Sequence, residues 1–182
     1  MSRRIDFFDL ESTGLKGTFA QILVACFLSL DGKDVITFRL DDKKYKPKKR
    51  LDDDTKLVEA IRDYLEESFC WVTWYGKMFD IPLLQTRLAL HGMKPLERRL
   101  HVDLLYYSRK PNLLLHSSRL DSVAKSFQFK TQKTDLLPDA WMAARSLEKK
   151  AMDTIVEHCQ ADVQVLGEAW DVLSPFVRNI HY

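Results

Sequence analysis

The chain has 182 residues, 46% of them apolar and 30% charged, enough to bury the core of a single domain without disulfide or metal staples. Its 28 basic and 26 acidic residues leave a formal charge of +2, too mild a balance to identify a nucleic-acid partner. Local clustering carries more information, because Lys43, Lys44, Lys46, Lys48, Lys49 and Arg50 fall within eight residues.

Three cysteines, Cys26, Cys70 and Cys159, are far apart and odd in number. They argue against a disulfide framework and against a zinc site of CxxC type. No signal peptide is visible and no apolar run is long enough to span a bilayer. The expectation is one domain over residues 1–182, cytoplasmic, with reduced thiols and no membrane partner.

Residues 5–15, Ile-Asp-Phe-Phe-Asp-Leu-Glu-Ser-Thr-Gly-Leu, open with a short buried strand carrying Phe7, Phe8 and Leu10. Asp9 and Glu11 are two apart and so project from one face of it. Two adjacent carboxylates either close the strand toward solvent or are held together by a cation; hard ions such as Mg²⁺ and Mn²⁺ take oxygen ligands. Ser12 to Gly17 is turn chemistry. A second, largely apolar strand is expected over Phe19 to Leu30. Asp31-Gly32 is a hairpin signal, and a third strand is expected over Val35 to Leu40. The opening is an antiparallel meander rather than a βαβ unit.

The lysine-rich stretch reads as a solvated loop, with tracking of a phosphate backbone as the alternative. Asp52-Asp53-Asp54 precedes a helix expected over Thr55 to Ser68, where the acids favour the N-terminal dipole. Phe69 to Trp74 is expected as a strand with Trp71 and Trp74 in the core. A helix follows over Asp80 to His91, tolerating Pro82 in its first turn and ending at Gly92. His101 to Leu105 is a short strand, with Asp103 as a structural cap. Ser118 to Phe127 is a helix. A last long helix runs over Leu147 to Leu173, softly interrupted at Gly167. A meander followed by alternating helices and strands implies a mixed α/β sheet with helices packed on it.

Two further acids fall at telling places. Asp80 follows Phe79 at a strand-to-helix junction, where a lone Asp is often an ordinary N-cap. Asp162 stands one helical turn after His158, an i, i+4 pair on one face. In order, Asp-x-Glu on a first strand, Asp after Phe at a junction, and a ring four residues before Asp on a late helix form a pattern. On Asp9, Glu11, Asp80 and Asp162 the chain resembles the DEDD (DnaQ-like) 3′–5′ exonuclease superfamily, with its RNase H-like fold. Arg119-Leu120-Asp121-Ser122-Val123-Ala124-Lys125 and Lys133-Thr134-Asp135 are similar to the proofreading exonuclease domain of family B DNA polymerases.

The resemblance implies an RNase H-like mixed sheet, a three-stranded antiparallel meander extended by parallel strands, with helices on both faces. It implies two divalent ions, Mg²⁺ or Mn²⁺, held by Asp9, Glu11, Asp80 and Asp162. Asp9 would bridge them, Glu11 and Asp162 would complete the nucleophile-side ion, and Asp80 would support the other. His158 departs from the pattern: the spacing is that of the tyrosine subclass with histidine in the slot. It is expected as the catalytic base for the attacking water, against a packing or phosphate-binding role. Leu10, Thr13, Gly14 and Leu15, with Tyr75, Lys77, Met78 and Phe79, are expected to meet the substrate. His91, His101, His116 and His181 form no ligand grouping with one another. The implied activity is 3′–5′ hydrolysis of single-stranded ends, DNA favoured, beside a polymerase or other replication or repair protein. The alternatives are an exoribonuclease or oligonucleotide-trimming enzyme, and a catalytically silent nucleic-acid-binding module.

Overall fold

The computed structural model describes residues 4–48, 50–131, 136 and 138–178; Lys133, Thr134 and Asp135 of the sequence pattern lie outside them. Five strands form one sheet: β1 (Ile5–Ser12), β2 (Ile22–Ser29), β3 (Ile36–Arg39), β4 (Cys70–Thr73) and β5 (Leu100–Asp103). Their spatial order is β3-β2-β1-β4-β5. β1 to β3 pair antiparallel, whereas β1–β4 and β4–β5 pair parallel. This is the expected RNase H-like mixed sheet.

β1 is central and both of its faces are covered, so its apolar residues Phe7, Phe8 and Leu10 are buried. On one face Phe8 stacks on its cross-strand partner Phe27 at 5.0 Å. Phe27 in turn meets Tyr64 of α1 (Thr55–Glu66) at 4.4 Å. On the other face Phe7 packs edge-on against Trp170 of α6 (Lys149–Leu173). Between them run α2 (Asp80–Leu90), α3 (Leu104–Tyr107), α4 (Leu120–Ser126) and α5 (Pro138–Arg145). Leu57, Val58, Ile61 and Leu65, at helical spacing, are the buried stripe of α1.

Four features differ from expectation for identifiable reasons. Phe19 belongs to a turn, not to β2. Its N–H and that of Ala20 both donate to the Lys16 carbonyl, which leaves the Phe19 ring 87% exposed. Helix α5 has no counterpart among the expected elements: its eight residues carry no strong periodic stripe, and Pro138 at the first position with Asp139 in the first turn are its start signals. Leu147 does not open α6 but closes α5. It adopts φ 57°, and the N–H groups of Leu147 and Glu148 return to the carbonyls of Ala144 and Ala143, a Schellman closure. Gly167 does not interrupt α6, which is continuous. It lies where the helix nears Phe7 and Leu28, and a Cβ there would meet Leu28 at 3.5 Å.

Asp54 also departs from its expected role. Its side chain makes no cap bond to α1 and is completely buried. It accepts from Ile22 N–H at 2.8 Å, from Arg87 Nη2 at 2.6 Å and Nε at 3.1 Å, and it contacts His91 Nε2 at 2.6 Å. One carboxylate thus ties β2, α1 and α2 together.

Candidate active site

The i, i+2 spacing turns Asp9 and Glu11 toward α6, where Cys159 packs against β1 with Sγ 3.6 Å from the Asp9 carbonyl. From that helix His158 and Asp162, one turn apart, meet the β1 acids. His158 Nε2 is 3.6 Å from Glu11 Oε1 and 3.7 Å from Asp162 Oδ2. These separations exceed ordinary hydrogen bonds. Ligand atoms of Glu11, His158 and Asp162 all lie within 4.8 Å of one another, the spacing expected of donors around one cation. Asp9, His158 and Asp162 line a cleft of about 1030 Å³ together with Tyr75.

Asp80 arrives by a different route. β1 and β4 are paired only from Ile5–Cys70 to Phe7–Val72. Beyond that point the Leu10 N–H has lost its strand partner and donates instead to Asp80 Oδ1 at 3.1 Å. Asp80 is the first residue of α2, whose N-cap is Phe79, so it does not cap its own helix. Burial pushes its carboxyl up to about 7, the Leu10 bond and its own N–H oppose this, and the charges of Asp103 and Asp162 add to it.

The segment that brings Asp80 in is held from β5. Asp103 Oδ1 accepts from Tyr75 N–H at 2.8 Å, and Oδ2 from Lys77 N–H at 3.1 Å. Oδ1 also caps α3 through Leu105 N–H. Tyr75 takes φ 67°, an uncommon left-handed conformation for a bulky residue. Gly76 packs against Thr73 so closely that a Cβ would come within 2.5 Å of the threonine Cβ and Oγ1. The cap assigned to Asp103 from sequence is present; its hold on Tyr75 and Lys77 was missed, since nothing local in 100–105 points 26 residues back.

The residues expected at the substrate are dispersed. Tyr75 lines the cleft and is half exposed. Leu15 and Met78 are exposed apolar side chains, Leu15 at 80%. The Leu10 side chain lies in the core, and only its N–H reaches Asp80. Thr13 Oγ1 accepts from Gln21 N–H at 2.9 Å, Gly14 carbonyl from Ser12 Oγ, and Phe79 packs against the core. Trp71 is buried, and Trp74 is partly buried at the edge of the cleft.

Residues 6–172 match the RNase_H superfamily, and the chain belongs to that superfamily. Among solved structures it is similar to the family B DNA polymerase of the hyperthermophilic archaeon Pyrobaculum calidifontis, with a TM-score of 0.73 and 18% identity. The match covers 97% of this chain and 25% of that one, so the chain spans a quarter of the polymerase's length. No curated protein matches it. Membership and fold together support a nuclease-type activity, in a fold that commonly uses divalent metals, and the Glu11 and Asp162 carboxylates offer oxygen donors to such an ion. Among the described residues no helix is long and apolar enough to cross a membrane.

Proposed function

We propose that the chain is a metal-dependent 3′–5′ exonuclease that hydrolyses single-stranded ends, DNA in preference to RNA, and releases nucleoside 5′-monophosphates. The observation that carries this reading is the convergence of Glu11, His158 and Asp162 within 4.8 Å, beside the cleft that Asp9, His158 and Asp162 line. The residues that would hold two divalent ions, Mg²⁺ or Mn²⁺, are Asp9, Glu11, Asp80 and Asp162. Bound there, such ions supply Lewis-acid polarisation of the phosphodiester and a water of lowered pKa. The rest falls to the chain. Asp9 and Glu11 are carried by the central strand and Asp162 by the buried face of α6, so rigid elements present the carboxylates. His158, 3.6 Å from Glu11 and 3.7 Å from Asp162, takes the proton of the attacking water, as a near-neutral imidazole can. Tyr75 offers an aromatic face to the terminal base. A polymerase or another replication or repair protein is the partner this activity suits.

The test is nuclease activity on 5′-labelled DNA and RNA strands with Mn²⁺, for wild type, Asp9→Ala and His158→Ala. Wild type should shorten strands from the 3′ end, and EDTA or Asp9→Ala should abolish cleavage. His158→Ala should lower kcat about 10²-fold or more, the usual contribution of a general base. Unchanged turnover in that variant would remove the base role. Failure of wild type on every strand, with no Mn²⁺ binding by calorimetry, would leave a silent binding module instead.

A further inference from the structure

Away from its carboxylates the cleft carries a group of basic side chains. Arg109, Lys110, His116, Arg119 and Lys125 contribute to it, and all five are exposed. The segment bearing them is fastened to the residues that leave β4. Trp74 Nε1 donates to the Ser118 carbonyl at 3.2 Å, and Arg109 Nε donates to Ser118 Oγ at 2.9 Å. Arg109 is thereby held at one nitrogen while its side chain stays in the cleft lining.

Among the described residues, three of these side chains lack the carboxylate partner that six arginines have. Arg4, Arg39, Arg50, Arg62, Arg87 and Arg99 each lie within ion-pair distance of a carboxylate, and Lys125 is 3.6 Å from Asp121. Among the described residues Arg109, Lys110 and Arg119 have no such partner. The three share one cleft lining and are exposed there, which leaves their charges open to an anion from outside. At about 1030 Å³ the cleft lies at the top of the roughly 300–1,000 Å³ range of small-molecule sites, so it has room beyond one terminal nucleotide.

We infer that Arg109, Lys110 and Arg119 bind phosphates upstream of the terminal nucleotide, which makes the substrate class a single-stranded polynucleotide rather than a mono- or dinucleotide. The placing of the terminal nucleotide rests on the nuclease reading above; the phosphate site itself does not. Lys43, Lys44 and Lys46, three basic residues outside the cleft lining, serve as an internal control.

The experiment measures fluorescence anisotropy of 5′-fluorescein-labelled dT12, rU12 and dT2 in EDTA across a potassium chloride series. It compares wild type, the triple variant Arg109→Gln/Lys110→Gln/Arg119→Gln, and the control Lys43→Gln/Lys44→Gln/Lys46→Gln, each first checked by thermal melting. The triple variant should lose at least tenfold in dT12 affinity. Its dependence of log K on log salt should flatten by about 2, at about 0.7 per single-strand phosphate contact. dT2 binding, and Mn²⁺-dependent hydrolysis of thymidine 5′-(p-nitrophenyl phosphate), should change less than threefold. The control should match wild type, and rU12 should follow dT12 because phosphates alone are read. A dT12 affinity and salt slope within twofold of wild type would overturn the inference, as would an equal loss in the control or in the small ester. Strand binding through these residues without any cleavage would sink the nuclease reading and keep this one; cleavage with undiminished binding in the triple variant would do the reverse.

Discussion

The Leu10 N–H donates to the Asp80 carboxylate at 3.1 Å, at the place where β1 has parted from β4. A ladder bond is replaced by a side-chain bond, and the acid that fills the gap lies beside the strand bearing Asp9 and Glu11. Burial at that point holds a proton on Asp80 up to about pH 7, with the Asp103 and Asp162 charges contributing. Fold and chemistry conflict here: the sheet positions the acid well, yet ionising it without a cation is unfavourable.

That conflict predicts the pH response of the metal-free protein. With the folded carboxyl raised from 3.8 to about 7, the native state keeps a proton that the unfolded chain releases. Asp80 therefore lowers stability as pH rises between those values, by at most about 1.4 kcal/mol per pH unit. Asp80→Asn retains an oxygen for the Leu10 N–H and removes the effect. In EDTA at pH 8 its melting temperature should exceed wild type by several degrees, at about 2–4 °C per kcal/mol, and the difference should vanish near pH 4. Added Mn²⁺ should raise wild type more than the variant. A variant that melts lower at pH 8 would count against this assignment.

His101 acts in the opposite direction. Burial lowers its pKa from 6.5 to about 4, with the Lys77 charge adding to the effect, while Nε2 and Thr73 Oγ1 are 2.8 Å apart. The native state excludes a proton that the unfolded histidine binds below pH 6.5. Stability is thus lost as pH falls through that window toward 4, again by at most about 1.4 kcal/mol per unit. His101→Gln should flatten the acid limb of a melting-temperature profile by a few degrees at pH 5. An unchanged acid limb would show that another group governs it.

How far these features were legible depends on how local their cause is. Asp9 with Glu11, and His158 with Asp162, follow from strand and helix periods, so each pair could be placed on a common face before any fold was known. The mixed sheet followed from the meander and the alternation after it. Asp54 could not be read this way: its partners Arg87 and His91 are 33 and 37 residues away, and an acid before a helix looks like a cap whether or not it is one. Phe19 and Leu147 read as element members because their side chains are apolar, while the backbone there closes turns. The cationic lining of the cleft is spread over loop residues with no period at all.

The Asp54 network carries a stability cost that can be measured. Removing the carboxylate leaves Arg87, itself buried, facing the lost partner, and strips the acceptor from Ile22 N–H. Breaking a buried ion pair from one side costs about 3–5 kcal/mol, so Asp54→Ala should melt roughly 6–20 °C lower, at about 2–4 °C per kcal/mol. Because Asp54 does not line the cleft, kcat well below the melting point should stay within about threefold of wild type. A change under about 1 kcal/mol in urea unfolding would mean the network is redundant.

Asp103 allows stability and function to be separated. Its Oδ1 accepts from Tyr75 and Leu105, and its Oδ2 from Lys77. Asp103→Ala deprives three N–H groups, at about 1–3 kcal/mol for each left buried and unsatisfied. It also frees the strained Tyr75 turn that delivers Asp80 to the site. Asp103→Asn can keep both Oδ1 bonds but turns its amide nitrogen toward the Lys77 donor, so it should fall between alanine and wild type. For a nuclease positioned by this turn, kcat should drop about 10²-fold in Asp103→Ala, the scale of a roughly 1 Å misplacement. The asparagine variant should recover part of that loss, and Mn²⁺ affinity by calorimetry should weaken in parallel. If both variants merely melted lower, with kcat and Mn²⁺ affinity intact at 20 °C, Asp103 would be a fold residue and Asp80 would be positioned by α2 alone.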